Sequence, residues 1–317
     1  MEWNLRQLGG TGLRITPLTV GGAPLGSMPK NFGYEVGEEQ GVATALATLT
    51  GPIRSIDTSC AYSDGESERR IGRAITELGG VPDDFVLATK ITRDLATGDF
   101  SGAQMRRAIA GSLERLGVDR VPLLYLHDPE NTTFADAMAP GGAVEVLREL
   151  KDAGIAGSIG VAGGDTTIIG EYVGTGIFDV LLTHNRWTLV NRRADGMIDA
   201  AVERGMGVVN AAVLGGGILA TGASRSTRYG YREAPDELLD VVRQLEALSA
   251  DANVPLAAVA MQFSARDPRI ATTIVGVSRP ERIEESVAAI TFDIPDGLFD
   301  EVERIVAALP ADLPGPR

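Results

Sequence analysis

The chain has 317 residues, 44% of them apolar, and its 29 basic residues are outnumbered by 43 acidic ones for a net charge of −14. That length suits one α/β barrel domain spanning 1–317, and that charge argues against nucleic acid or an anionic membrane surface as a partner. A single cysteine excludes an internal disulfide framework, two histidines leave little for a transition-metal site, and no run approaches the roughly 18 apolar residues of a membrane span.

The opening MEWNLRQLGG lacks the basic-then-apolar pattern of a secretory signal, so a soluble cytoplasmic protein is expected. RQLGGTGLRIT then reads as a hairpin turning near Gly9-Gly10 and capping one end of the fold. Apolar runs of strand length follow at 18–26, 55–59, 85–90, 123–127, 155–163, 179–185, 206–213 and 272–278. Between them lie segments with apolar residues at three- and four-residue steps, such as 102–117 and 141–154. Strands buried on both faces and alternating with helices predict a parallel sheet, and eight of them predict closure into a (β/α)8 TIM barrel. The polar stretch 221–235 is long enough to be a mobile lid.

Chemistry in such barrels gathers at the C-terminal ends of the strands. Asp57 ends the second run, Tyr62 lies just beyond it, Lys90 ends the third and His127 the fourth. A phenol with a pKa of about 10 trades protons poorly near neutrality. The Lys90 ammonium is expected to favour the Tyr62 phenolate, Asp57 to keep that ammonium charged, and His127 to bond the reacting oxygen or relay a proton.

Read one at a time, these residues could as well be a structural ion pair and a loop tyrosine. The surrounding run decides between the two: Asp57-Thr58-Ser59-Cys60-Ala61-Tyr62-Ser63-Asp64-Gly65-Glu66-Ser67-Glu68 resembles the motif D-T-A-x-x-Y-G-x-G-x-S-E of the aldo-keto reductase family. The resemblance extends from LRQLGGTGLRITPLTVGGAPLG to VGVSRPERIEES. Within the family the chain is most similar to bacterial aldose 1-dehydrogenases of the L-fucose, D-galactose and D-threo-aldose type, which share an HDPE-like segment after the histidine.

No GxGxxG opens a helix after the first strand, so a Rossmann site is not supported. Ser278-Arg279-Pro280-Glu281-Arg282 follows an apolar strand and opens a helix, which suits phosphate; the plainer alternative is an S-x-x-E capping box with its arginines in water. The resemblance implies that Arg282 and Glu285 serve the adenosine 2′-phosphate of NADP. Ser286 stands where asparagine is usual, and Gly276 stands where many NADPH-preferring members carry lysine, so NAD stays open. The glycines 215–217, flanked by Leu214 and Leu219, read as a pyrophosphate strap or as a plain turn. The resemblance also places Asn185 on the nicotinamide carboxamide, while Ala162-Gly163 replaces the usual Ser-Asn pair.

Tyr34, Trp187 and Tyr231, with Phe32 and Tyr229, fall on segments expected above the barrel mouth, each as readable as packing as it is as substrate contact. His184 is expected to pack, and Cys60 to be a small buried residue without special reactivity. Asp128 and Glu130 are either a polar loop start or part of the site. The resulting expectation is an NAD(P)-dependent oxidoreductase that oxidises an aldose at C1 to a lactone. The alternatives are a dehydrogenase or reductase of pyridoxal-type and other aldehydes, and a non-catalytic nucleotide-sensing subunit. No metal is called for.

Overall fold

The computed structural model describes residues 3–230 and 232–309. Among these, eight parallel strands close into a barrel: β1 (Leu18–Gly21), β2 (Ser55–Asp57), β3 (Val86–Ile91), β4 (Val121–His127), β5 (Ala156–Gly163), β6 (Val180–His184), β7 (Gly207–Ala211) and β8 (Thr272–Gly276). Each pairs with its neighbour, and β8 closes the ring on β1 with Thr273 opposite Leu18 and Gly276 opposite Gly21. A helix follows each strand, from Glu38–Thr50 after β1 to Glu281–Ile290 after β8. Two further helices, Asp236–Asp251 and Asp296–Val306, pack together in a satellite core beside the barrel. No helix of the described residues is long and apolar enough to cross a membrane.

The strand runs anticipated at 18–26 and 206–213 are longer than the strands themselves. Ala23–Gly26 is a 3-10 turn with Pro24 near its start, because proline supplies no donor to continue the ladder. The segments 102–117 and 141–154 hold helices Gly102–Leu116 and Ala143–Asp152. Ser101 caps the first through a bond from the Gln104 amide, and Gly117 ends it in the left-handed conformation.

Alternation along the strands decides what reaches the interior. In β3, Leu87 and Ile91 face the helices, whereas Val86 and Ala88 face the barrel; in β4, Leu124 and Leu126 face out, Leu123 and Tyr125 in. Carried to the strand ends, the same parity turns Lys90 and His127 inward. Ile56 faces the helices, so Asp57 turns inward as well.

The hairpin forms the floor. Arg6–Gln7 pairs with Arg14–Ile15, and Leu8 and Ile15 join the interior cluster of Val86, Leu123, Val209 and Ile274. Leu8 is wholly buried. Leu8→Ala is therefore expected to cost about 2–5 kcal/mol of stability, as deletions in close-packed cores do. Denaturant unfolding checks this, and a loss well under 1 kcal/mol would show that the floor is not part of the packed interior.

Candidate active site

Three strand ends and one loop converge on Lys90. Its ammonium bonds the Asp57 carboxylate at Oδ1, the Thr58 carbonyl at 2.9 Å and the Tyr62 hydroxyl at 3.2 Å. Asp57, Lys90 and His127 are buried, and Tyr62 is half-buried at the mouth. The Tyr62 and His127 rings meet edge to face, with centroids 5.9 Å apart and planes at 89°. The sequence motif thus becomes one contiguous set of polar side chains.

The remaining residues of the motif hold that set in place. Thr58 Oγ1 is 2.8 Å from Ser67 Oγ, which itself donates to the Gly22 carbonyl. Glu68, wholly buried, accepts from Thr89 Oγ1 on β3 and from Arg115 Nε on helix Gly102–Leu116 at 2.5 and 2.7 Å. Ser59, at the alanine position of the motif, lies 3.0 Å from His127 Nδ1 while accepting from the Ala61 amide. The sequence gives no hint of this last contact, because only the fold brings Ser59 to β4.

Burial governs the protonation states. Taking Lys90 out of water favours the neutral amine, but the Asp57 charge and the Tyr62 oxygen outweigh it and hold the ammonium above its ordinary range. Burial pushes the Asp57 carboxyl up, with Lys90 pulling it back. The ionised pair is the coherent state, since a neutral amine would strand a buried carboxylate. The Tyr62 phenol is raised rather than lowered: its own burial exceeds the pull of Lys90. That corrects the sequence expectation, which counted the ammonium and not the desolvation. His127 is pushed down to about 4 by burial and is neutral above that pH. Burial raises the Cys60 thiol to about 11, consistent with an unreactive cysteine.

His184 does not pack away from the site. In β6 it shares the inward face of Val180 and Leu182, and Asn185 after it turns left-handed with φ 58°, so the two residues are not on opposite faces of a continuing strand. The His184 imidazole lies beside Asp128, with Nε2 4.0 Å from Oδ1, and Asp128 Oδ1 is also 3.6 Å from His127 Nε2. Glu130 anchors the adjoining loop by accepting from the Gly164 and Asp165 amides at 2.6 and 2.8 Å.

The residues proposed for a dinucleotide occupy the same face, beyond β6, β7 and β8. Asn185 Nδ2 bonds His184 Nδ1 at 3.2 Å, while its buried Oδ1 has no partner. Such an orphan acceptor suits an incoming amide N–H. Gly215, Gly216 and Gly217 all have positive φ, at 58°, 78° and 108°. This is a backbone only glycine adopts readily; the Gly215 and Gly217 amides already donate to the Ala212 and Leu214 carbonyls at 2.9 Å, which leaves the exposed Gly216 as the place where the turn can meet an anion. Leu214 and the buried Leu219 pack their side chains into the satellite core, so only their backbone is available. Glu285 holds both Arg279 and Arg282, at 3.0 and 2.6 Å, at the start of helix Glu281–Ile290. Ser278 forms no side-chain cap there; its carbonyl accepts from Gln40. The Ser286 hydroxyl is committed to the Arg282 carbonyl at 2.7 Å, which removes it as a ligand donor. At Gly276 a Cβ would lie 3.1 Å from Pro24, a tight contact that any side chain there would have to relieve.

Trp187 is not at the mouth. Its indole packs on Phe263 and is flanked by Arg192 and Arg269 in the helical layer, because the turn after Asn185 carries it outward. Tyr34 is exposed, 6.0 Å from Phe32 in the loop after β1. Tyr231 lies outside the described residues. Within 221–230, Tyr229 is buried, lies 2.9 Å from Thr188 Oγ1, and is followed by a Gly230 amide bonded to the Gly215 carbonyl, so this part of the polar stretch is tied to the barrel.

Residues 17–307 match the Aldo/keto reductase family. The chain is 30% identical to a D-threo-aldose 1-dehydrogenase of a Pseudomonas species over 92% of its length and 94% of that protein. It is 30% identical to an L-galactose dehydrogenase of Arabidopsis thaliana, covering 95% and 94%, and 29% identical to a pyridoxal 4-dehydrogenase of Microbacterium luteolum, covering 92% and 94%. A solved aldo-keto reductase from Bacillus halodurans, in its holo form, superposes with a TM-score of 0.76 over 98% of this chain and 97% of that one, at 22% identity. The chain belongs to the aldo/keto reductase family and is an oxidoreductase.

With two histidines in the chain, imidazole NMR resolves each one. His127 should titrate near pH 4, well below the ordinary value of about 6.5. The unfolded chain takes up that proton first, so stability should fall as pH drops from about 6.5 towards 4. A His127 midpoint near 6.5 would show that the ring is open to water.

Proposed function

We propose that this enzyme is an NAD(P)-dependent dehydrogenase that oxidises the anomeric hydroxyl of an aldose to a lactone. The observation that supports this reading most directly is the Lys90 ammonium, bonded at once to Asp57 and Tyr62 with His127 beside them. Similarity to a D-threo-aldose 1-dehydrogenase and an L-galactose dehydrogenase at 30% identity supports the sugar. Similarity to a pyridoxal 4-dehydrogenase supports a second reading, an aromatic aldehyde as substrate.

When bound, the dinucleotide accepts or supplies a hydride at its nicotinamide ring. Asn185 would receive the carboxamide, the Gly215–Gly217 turn would meet the pyrophosphate at Gly216, and Arg282 with Arg279 would hold the adenosine phosphate. Tyr62 takes the proton from the anomeric hydroxyl during oxidation and returns it to a carbonyl oxygen during reduction. Lys90 stabilises the phenolate so formed, and Asp57 keeps Lys90 charged. His127, neutral at working pH, orients the reacting oxygen by a hydrogen bond. The filled set of four residues favours turnover over a purely sensing role. Reading 1–317 as one domain, supported by the closed eight-strand barrel, leaves the reaction to that domain.

Tyr62→Phe should lose most turnover, by a factor of about 100 or more, while cofactor affinity in a direct titration stays within about twofold. Near-normal turnover would reject the proton-transfer role. Because the phenol lies above its ordinary value, oxidation should climb with pH through about 10 without levelling off, whereas reduction should stay flat over that range. A plateau in oxidation near neutrality would show that Lys90 outweighs burial. Arg282→Ala should weaken NADP binding about tenfold and NAD binding little, since a charge-assisted bond to a 2′-phosphate is lost only in the first case. Equal weakening of both cofactors would reject phosphate discrimination by Arg282.

A further inference from the structure

Asp128 plays no part in the chemistry described above, yet the structure places it beside the reacting centre. It follows His127 directly and adopts a left-handed backbone, with φ 48°, unusual outside glycine. Its amide is tied to the Ala162 carbonyl at 2.8 Å, so the bend is held by the barrel itself. The bend turns the carboxylate back over the mouth. There Oδ1 lies 3.6 Å from His127 Nε2 and 4.0 Å from His184 Nε2. The side chain keeps 42% of its surface exposed.

Both imidazoles are oriented from behind. The Asn185 amide, which can only donate through Nδ2, meets His184 Nδ1 and leaves the ring proton of a neutral His184 on Nε2. Ser59 Oγ holds His127 at Nδ1, 3.0 Å away, through a hydroxyl that can donate or accept. Burial keeps both rings neutral at working pH. Gly164 makes room for the second ring, since a Cβ there would come 2.8 Å from His184 Cε1. The result is a carboxylate with free acceptor capacity flanked by ring nitrogens, all next to the oxygen-binding His127. Acceptors and donors interleaved at this spacing complement adjacent hydroxyl groups, each of which both donates and accepts.

We propose that Asp128, with His184 beside it, is the specificity-determining subsite of this enzyme, binding a substrate hydroxyl next to the reacting carbon and so selecting polyhydroxylated substrates. The inference rests on the sugar-oxidising reading above and adds to it the residue that recognises the sugar. Asp128 is a specificity residue and does not move the reacting proton.

A lactol without ring hydroxyls, 2-hydroxytetrahydropyran, undergoes the same oxidation as an aldopyranose and isolates the question. The wild-type enzyme should prefer the aldopyranose. Asp128→Ala should lose about 10- to 100-fold in kcat/KM on the sugar, the range of a hydrogen bond to a charged group, and under about threefold on the lactol. Asp128→Asn keeps the size and tolerates the left-handed backbone, so it should fold normally, as judged by Tm, and show the same selective loss. Both variants should bind NADP and NAD in direct titrations within about twofold of wild type. In imidazole NMR of the NADP-loaded protein, sugar should shift the His184 signals in wild type and not in Asp128→Asn. Equal losses on sugar and lactol, an unchanged preference, or weakened cofactor binding would overturn the subsite and leave the sugar-oxidising reading intact. A wild-type enzyme that oxidises neither compound with either cofactor would instead overturn that reading, and the subsite with it.

Discussion

A lysine ammonium removed from water must be met by acceptors on the protein side, and much of the mouth of this barrel is arranged by that requirement. Lys90 finds a carboxylate, a carbonyl and a phenol oxygen, all supplied by the stretch from Asp57 to Tyr62. Losing the carboxylate alone would strand a buried charge at a cost of about 3–5 kcal/mol, and the two neutral oxygens complete the ammonium's hydrogen bonds. The loop after β2 is therefore not free to wander. Its continuation is locked from the other side, where Ser67 holds Gly22 and Glu68 ties β3 to the helix that follows. Reactive geometry and fold stability share these bonds.

The same desolvation sets the reactivity of the site. An ammonium beside a phenol favours ionisation, but a phenol half withdrawn from water resists it, and here the second effect is the larger. Tyr62 is consequently a proton donor by default and a base only when proton loss is driven. His127 is subject to the same force and is left as a neutral hydrogen-bonding group. Two residues that sequence reasoning would give overlapping acid–base duties are separated by burial into distinct roles.

The barrel was legible in the sequence because strand length, two-sided burial and helical spacing are local signals, repeated eight times. Asp57, Lys90 and His127 were legible for the same reason: each closes an apolar run, and alternation carries it inward. His184 was misplaced by setting it opposite Asn185 on a continuing strand, whereas it shares the inward parity of Val180 and Leu182 and the left-handed turn comes after it; that turn is what carries Trp187 outward. The stretch 221–235 looked loose from its polar composition, yet Tyr229 anchors the part up to 230 through contacts to residues more than forty positions away in sequence. The role of Ser59 was hidden by distance too, since its partner lies 68 residues ahead. Composition and periodicity report on neighbours in sequence and are silent about such pairings.

The contact between Gly276 and Pro24 bears on how this sequence can change. A longer side chain at 276, the natural place to add a cation towards a bound phosphate, would first press on the ring of Pro24, 3.1 Å from the position of its Cβ. Pro24 in turn sits in the buried 3-10 turn that carries the chain away from β1. The two positions are therefore coupled: a side chain at 276 requires the Pro24 ring to give by a few tenths of an ångström. A side chain added at this point of β8 is thus felt on β1's exit turn, and its net effect on stability is set by how far that turn can move.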